Sequence, residues 1–142
     1  MMRWITILSI ALISCGGADN SGKVVERWPS GVVKKEKTPL AADTFKVSHF
    51  HEDFKLYMVG NAYYLDGEEI KHGTWKSFYP DGRKWSLSTW DRGVENGLYN
   101  TWHPNGKLNI SGFYSSGVRT GKWTFYNTEG EIVKEYDSTP LN

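Results

Sequence analysis

The sequence predicts an all-β chain, an elongated antiparallel meander of stacked β-hairpins that repeats every 24 residues. Three observations carry that expectation. Gly73, Gly97 and Gly121 are spaced by 24, as are Gly82, Gly106 and Gly130, and Gly93 and Gly117 keep the same period. A fixed period in the twenties marks repeated supersecondary units. Tyr79-Pro-Asp-Gly82 and His103-Pro-Asn-Gly106 spell one turn twice, a period apart. Beyond the first residues no stretch shows a 3.6-residue apolar period, so almost no helix is expected.

In chain order, residues 1–14 read as a targeting segment. Arg3 supplies the positive start and Trp4 to Ile13 a mostly apolar run, too short for the about 20 residues that span a bilayer but suited to a secretory signal. Leu12-Ile13-Ser14-Cys15 resembles the bacterial lipobox. That resemblance implies cleavage before Cys15, lipidation of its thiol and acylation of the new amine, with about 0.8 kcal/mol of membrane attachment per buried CH₂. Cys15 is the only cysteine, so no intrachain disulfide can form. Residues 15–21 are then a lipidated tether. Gly16 and Gly17 follow with no aspartate, which by resemblance to proteobacterial sorting favours the outer membrane or cell surface over the inner membrane.

The repeat domain is expected over 22–142, with clear units at 73–96, 97–120 and 121–138. An outlying copy begins at Gly22, where Gly22 and Gly31 are nine apart like Gly73 and Gly82, and Pro29 falls where Pro80 and Pro104 fall. A degenerate unit is expected between them, around 54–60 and 63–67. Within a unit, Pro80 presets φ for the first corner of a type I turn, Asp81 suits the second, and Gly82 takes the left-handed conformation that closes the loop. Gly106 and Gly130 repeat that role. Thr74 to Tyr79 and Lys107 to Ser111 are rich in aromatic and β-branched residues and read as strands. Gly93–Gly97 and Gly117–Gly121 read as links between units.

Gly73, Trp75, Phe78 and Gly82, then Gly97, Tyr99, Trp102 and Gly106, then Gly121, Trp123, Tyr126 and Gly130 resemble the MORN repeat in its bacterial variant. The resemblance covers 73–138 well and 22–72 loosely. It implies a meandering antiparallel sheet of stacked hairpins. Many members of the variant carry the label of a YwqK-type antitoxin.

Aromatics at the third and sixth places of a unit are three residues apart and so face opposite sides of a strand. Aromatic stripes are therefore expected on both faces of the sheet. Either curvature and the N-terminal region cover both, making every ring structural, or one stripe stays open. The candidate binding surface in the second case is Trp75, Tyr79, Trp85, Trp90, Trp102, Tyr114 and Trp123.

Charge narrows the function classes. The chain has 17 Lys and Arg against 16 Asp and Glu, and removing residues 1–14 deletes only Arg3, leaving 16 against 16. A neutral domain lacks the basic face that a nucleic-acid binder needs. Lys34-Lys35-Glu36-Lys37 reads as a solvated strand face. His49 and His51 form half of a plausible zinc set, but the repeat places no third ligand, so no metal and no cofactor are expected. No catalytic residue is expected either: there is no G-x-S-x-G elbow, and Asp66, Glu68 and Glu69 sit in a turn-like context. The expected function is a non-catalytic scaffold, lipid-anchored in the cell envelope, that binds a protein partner. Two alternatives stay open: glycan or peptidoglycan binding on exposed aromatics, and an antitoxin or immunity role.

Overall fold

The computed structural model describes residues 22–41 and 43–139. The signal segment, the Cys15 lipidation site and the tether through residue 21 lie outside the described residues. The chain forms ten strands: β1 (Lys23–Arg27), β2 (Val33–Ala41), β3 (Thr44–Phe50), β4 (Leu56–Leu65), β5 (Glu68–Phe78), β6 (Lys84–Asp91), β7 (Val94–Trp102), β8 (Leu108–Ser115), β9 (Val118–Tyr126) and β10 (Ile132–Asp137). They pair antiparallel in sequence order in a single open sheet. The all-β meander expected from the glycine period is the observed fold.

Turn chemistry fixes both edges of the sheet. At one edge Gly82, Gly106 and Gly130 all have φ of +85°, each donating its N–H to the carbonyl three residues back, at Tyr79, His103 and Asn127. Gly31 closes the same loop on Trp28. Between them, the loop at His51–Lys55 has the same hydrogen bonds, with Phe54 (φ +64°) standing in the glycine place. At the opposite edge Asp66-Gly67, Arg92-Gly93 and Ser116-Gly117 have positive φ at both positions, the two-residue turn whose twist matches that of the flanking strands.

Two expectations about the units change. The hairpin expected around 54–60 has its loop at 51–55, because Phe54 adopts a conformation that sequence reading reserves for glycine. Gly93–Gly97 and Gly117–Gly121 are not links: only their first residues lie in the turn, and β7 and β9 begin at Val94 and Val118.

The core lies on one face of this single layer. Paired positions place Lys37, Val47 and Gly60 in one row, continued by Trp75, Ser88, Tyr99 and Gly112 and by Trp123 and Tyr136. From Gly60 to Trp123 small residues and rings alternate along it. Trp75 lies flat over Gly60, where an added Cβ would come within 2.2 Å of the indole, and Trp123 lies over Gly112, where the distance would be 2.3 Å. Neither glycine needs a positive φ; both are there to make room for a ring. Lying flat is what lets an indole be buried without a second layer above it.

Candidate functional site

Two aromatic clusters result. Trp75 donates Nε1 to the Asn61 carbonyl at 2.8 Å, and the Lys71 ammonium stands 4.7 Å from the ring centres of both Trp75 and Trp90. Burial pushes the Lys71 ammonium pKa down. Trp90 is held in place by Nε1 donating to Ser88 Oγ at 2.7 Å. In the second cluster Tyr99 and Tyr114 pack on Trp123 with ring centres 5.7 and 5.2 Å away. Arg119 covers that indole at 4.5 Å and donates to Tyr136 Oη at 2.9 Å.

This geometry corrects the predicted binding surface. Trp75 is 2% exposed and Trp123 is 0% exposed, so neither can meet a partner directly; a cation above each ring and a glycine below it complete the burial. Trp90, Tyr114, Tyr79 and Trp102 are half-buried. Trp85 is the one member of the set that is exposed, at 40%. The two expected stripes reduce to one dense aromatic face, because Phe78, Trp102 and Tyr126 end their strands beside the loop edge.

The basic cluster also differs from expectation. Lys35 ion-pairs with Glu69, and Lys37 stands 4.3 Å from the ring centre of Tyr64 and 4.8 Å from that of Phe45. Burial pushes the Glu69 carboxyl up, and His49 and Lys35 outweigh that effect, holding it down to about 2. These lysines cover rings and a half-buried carboxylate instead of facing only water.

A second feature lies along the loop edge, where the sequence reading named only Tyr79 and Trp85. Each loop-edge hairpin carries a bulge residue six positions after its loop begins: Lys34 after Trp28, Tyr57 after His51, Trp85 after Tyr79. These side chains touch. Lys34 stands 4.9 Å from the Trp28 ring centre, and His51 and Tyr57 are 5.1 Å apart. Trp85 stacks 6.4 Å from Tyr57 and lies 6.3 Å from Tyr79. Trp28, Lys34, His49, Phe50, His51 and Tyr57 line an open hollow of about 260 Å³. The signal for this edge was the six-residue offset from Trp28 to Lys34 and from His51 to Tyr57, hidden because the loop at 51–55 has no glycine.

His49 and His51 both line this hollow, yet among the described residues no group of three or more His, Cys, Asp or Glu is placed to hold a metal ion. His49 Nε2 is 3.9 Å from Glu69 Oε1.

Residues 71–91 and 95–116 match the family model of the MORN repeat variant. Over these two stretches the chain is similar to that repeat. The matches run from Lys71 in β5 to the end of β6, and from Glu95 in β7 to the turn after β8, so one repeat is one strand–loop–strand hairpin. No curated protein and no solved structure matches the chain.

Proposed function

We propose that the chain is a non-catalytic MORN-like scaffold, anchored through Cys15 lipid to a bacterial outer membrane or cell surface, that binds a protein partner. The observation that carries this reading is the sheet face opposite the aromatic clusters. Leu98 and Phe113 pair directly across β7 and β8 and are 50% and 47% exposed, and Val118 nearby is 58% exposed. A row of apolar side chains left open on one face of a sheet marks an interaction surface. MORN repeats generally serve as protein or membrane interaction modules, which supports a scaffold and favours no reaction.

The test is crosslinking in cells with full-length tagged protein, followed by mass spectrometry, with Cys15→Ala and Leu98→Asp variants beside it. One dominant protein partner, lost in Leu98→Asp, is the expected result. Recovery of cell-wall or polysaccharide material with no reproducible protein would sink the reading. For the anchor, labelled palmitate should enter the wild type and not Cys15→Ala; equal labelling would refute lipidation at that thiol.

A further inference from the structure

We infer that a second copy of this chain packs on the sheet face opposite the aromatic clusters. The two copies lie face to face about a two-fold axis that runs parallel to the strands, between β7 and β8. The inference rests on the reading of that face as a protein-interaction surface and names the protein it takes.

Apolar matching is the first argument. In a two-fold interface one patch must complement itself. An axis between β7 and β8 lays β7 over β8 of the other copy, β6 over β9 and β5 over β10. Leu98 and Phe113 pair across β7 and β8 and are 50% and 47% exposed. About this axis Leu98 of each copy faces Phe113 of the other, and the four side chains close into one apolar centre, where binding energy concentrates in an interface.

Charge is the second argument. One row on this face runs Lys76, Leu87, Asn100, Ser111, Thr124 and Glu135. Its ends carry opposite charges, and the axis that joins Leu98 to Phe113 also lays Lys76 of each copy over Glu135 of the other. Lys76 has no ion pair among the described residues, whereas β10 sets Glu135 and Asp137 beside one lysine, Lys122. A cation in surplus on β5 thus meets an acid in surplus on β10, the complementarity that fixes register in an interface. Moving the axis by one strand puts Glu135 against Leu87 in one direction and against Val59 in the other.

Area is the third argument. The strands from β5 to β10 are 6 to 11 residues long. At ~3.3 Å per residue and ~4.8 Å between strands, six strands of about eight residues present ~29 by ~26 Å, roughly 750 Å² per copy. A stable interface buries about 800 Å² per partner, so the six strands suffice.

The direction of the chain is the fourth argument. β1 runs from Lys23 toward the loop that starts at Trp28, so the described chain enters the sheet at the edge of the two-residue turns. An axis parallel to the strands keeps that edge of both copies on one side. The tethers at 16–21, each at most ~21 Å long, then leave in the same direction and both lipid anchors can enter one membrane.

The experiment is sedimentation equilibrium of the full-length chain in density-matched detergent. The expected result is a dimer that dissociates on dilution, is lost in Leu98→Asp and is unchanged in Trp85→Ala. Lys76→Glu and Glu135→Lys should each weaken it about tenfold. Mixed together, these two variants should pair with each other as tightly as wild type, because each supplies the charge the other needs at both contacts; a variant that merely misfolds could not be rescued in this way. A wild type that stays monomeric at millimolar chain overturns the inference, as does a dimer indifferent to Leu98→Asp or a charge pair that mixing does not rescue. A monomeric chain that still crosslinks in cells to a different protein, lost in Leu98→Asp, would overturn this inference and leave the scaffold reading standing.

Discussion

Replacing Gly112 by alanine tests the packing that makes a one-layer sheet stable. The added Cβ would sit 2.3 Å from Trp123 Cδ2 and 2.4 Å from Cε2, inside any permitted contact, and both are ring atoms with no flexible end to swing away. The indole must lift. Forcing a methyl into a packed core costs about 1–3 kcal/mol. Lifting Trp123 also weakens the edge-on contact with Tyr114 at 5.2 Å, a type of pair worth about 0.5–1.5 kcal/mol. Arg119 above the ring adds about 0.5–1 kcal/mol of cation–π attraction at such a site. Since these losses overlap, the expected destabilisation is about 2–4 kcal/mol, or a Tm drop of roughly 8–15 °C for a domain of this size. Urea denaturation with near-ultraviolet circular dichroism measures it. Trp123→Leu with Gly112→Ala should cost less than the sum of the two single changes, because a smaller side chain no longer meets the new methyl. A single Gly112→Ala variant within about 0.5 kcal/mol of wild type, with an unaltered aromatic spectrum, would refute the flat-stacked arrangement.

Other outcomes follow from the same geometry. Glu69, held down to about 2 in the fold against about 4.3 unfolded, contributes stability above its unfolded pKa that is lost as pH falls toward 2. Screening reduces that contribution to about 1–2 kcal/mol, and Glu69→Gln should flatten the fall in Tm between these pH values; an unchanged profile would count against it. Phe54→Gly should stabilise by about 0.5–1 kcal/mol by relieving a left-handed backbone at an exposed side chain, and a loss of stability would show that Phe54 packs more than its exposure indicates. Gly82→Ala should cost about 1 kcal/mol through φ alone, since nothing lies within 4 Å of the added methyl. Phe113→Asp should leave the melting temperature within about 2 °C of wild type while weakening partner capture; a large drop would place Phe113 in the core.

The fold was legible where its rule is local. Glycines that close a turn recur at 24 residues whatever packs above them, so Gly82, Gly106 and Gly130 could be read from the chain. Gly60 and Gly112 could not be read that way. They obey a cross-strand rule, a missing Cβ beneath an indole that lies 15 residues on for Gly60 and 11 for Gly112, and Trp75 and Trp123 therefore looked like surface candidates when they are core. Phe54 hid a hairpin for the opposite reason: tertiary pairing forced a left-handed conformation onto a residue that does not prefer it. The loop-edge site was obscured with it, because the six-residue offset that links Trp28 to Lys34, His51 to Tyr57 and Tyr79 to Trp85 is visible as a series only once the loop at 51–55 is counted.

A one-layer sheet must solve a burial problem that sandwiches do not have, since no second sheet excludes water from its core. Here the solution is to lay rings along the sheet instead of standing them up, over Gly60 and Gly112, and to cover them with the Lys71 ammonium and the Arg119 guanidinium, cations that the ring faces attract. That arrangement confines the apolar packing to one face. The other face and the loop edge are released from any structural duty to be covered, and Leu98, Phe113 and Trp85 sit there at 40–50% exposure. In this architecture the number of hairpins sets the length of the exposed surface, each hairpin closes with its own turn, and the indoles of Trp75 and Trp123 are each seated on a glycine of the preceding hairpin. Lengthening or shortening the array by one unit should therefore change partner affinity with little change in per-unit stability, as expected for a quasi-one-dimensional fold. Deleting residues 97–120, one full period, makes the case: the shortened chain should still melt cooperatively, and collapse into a molten state would show that the two aromatic clusters depend on each other.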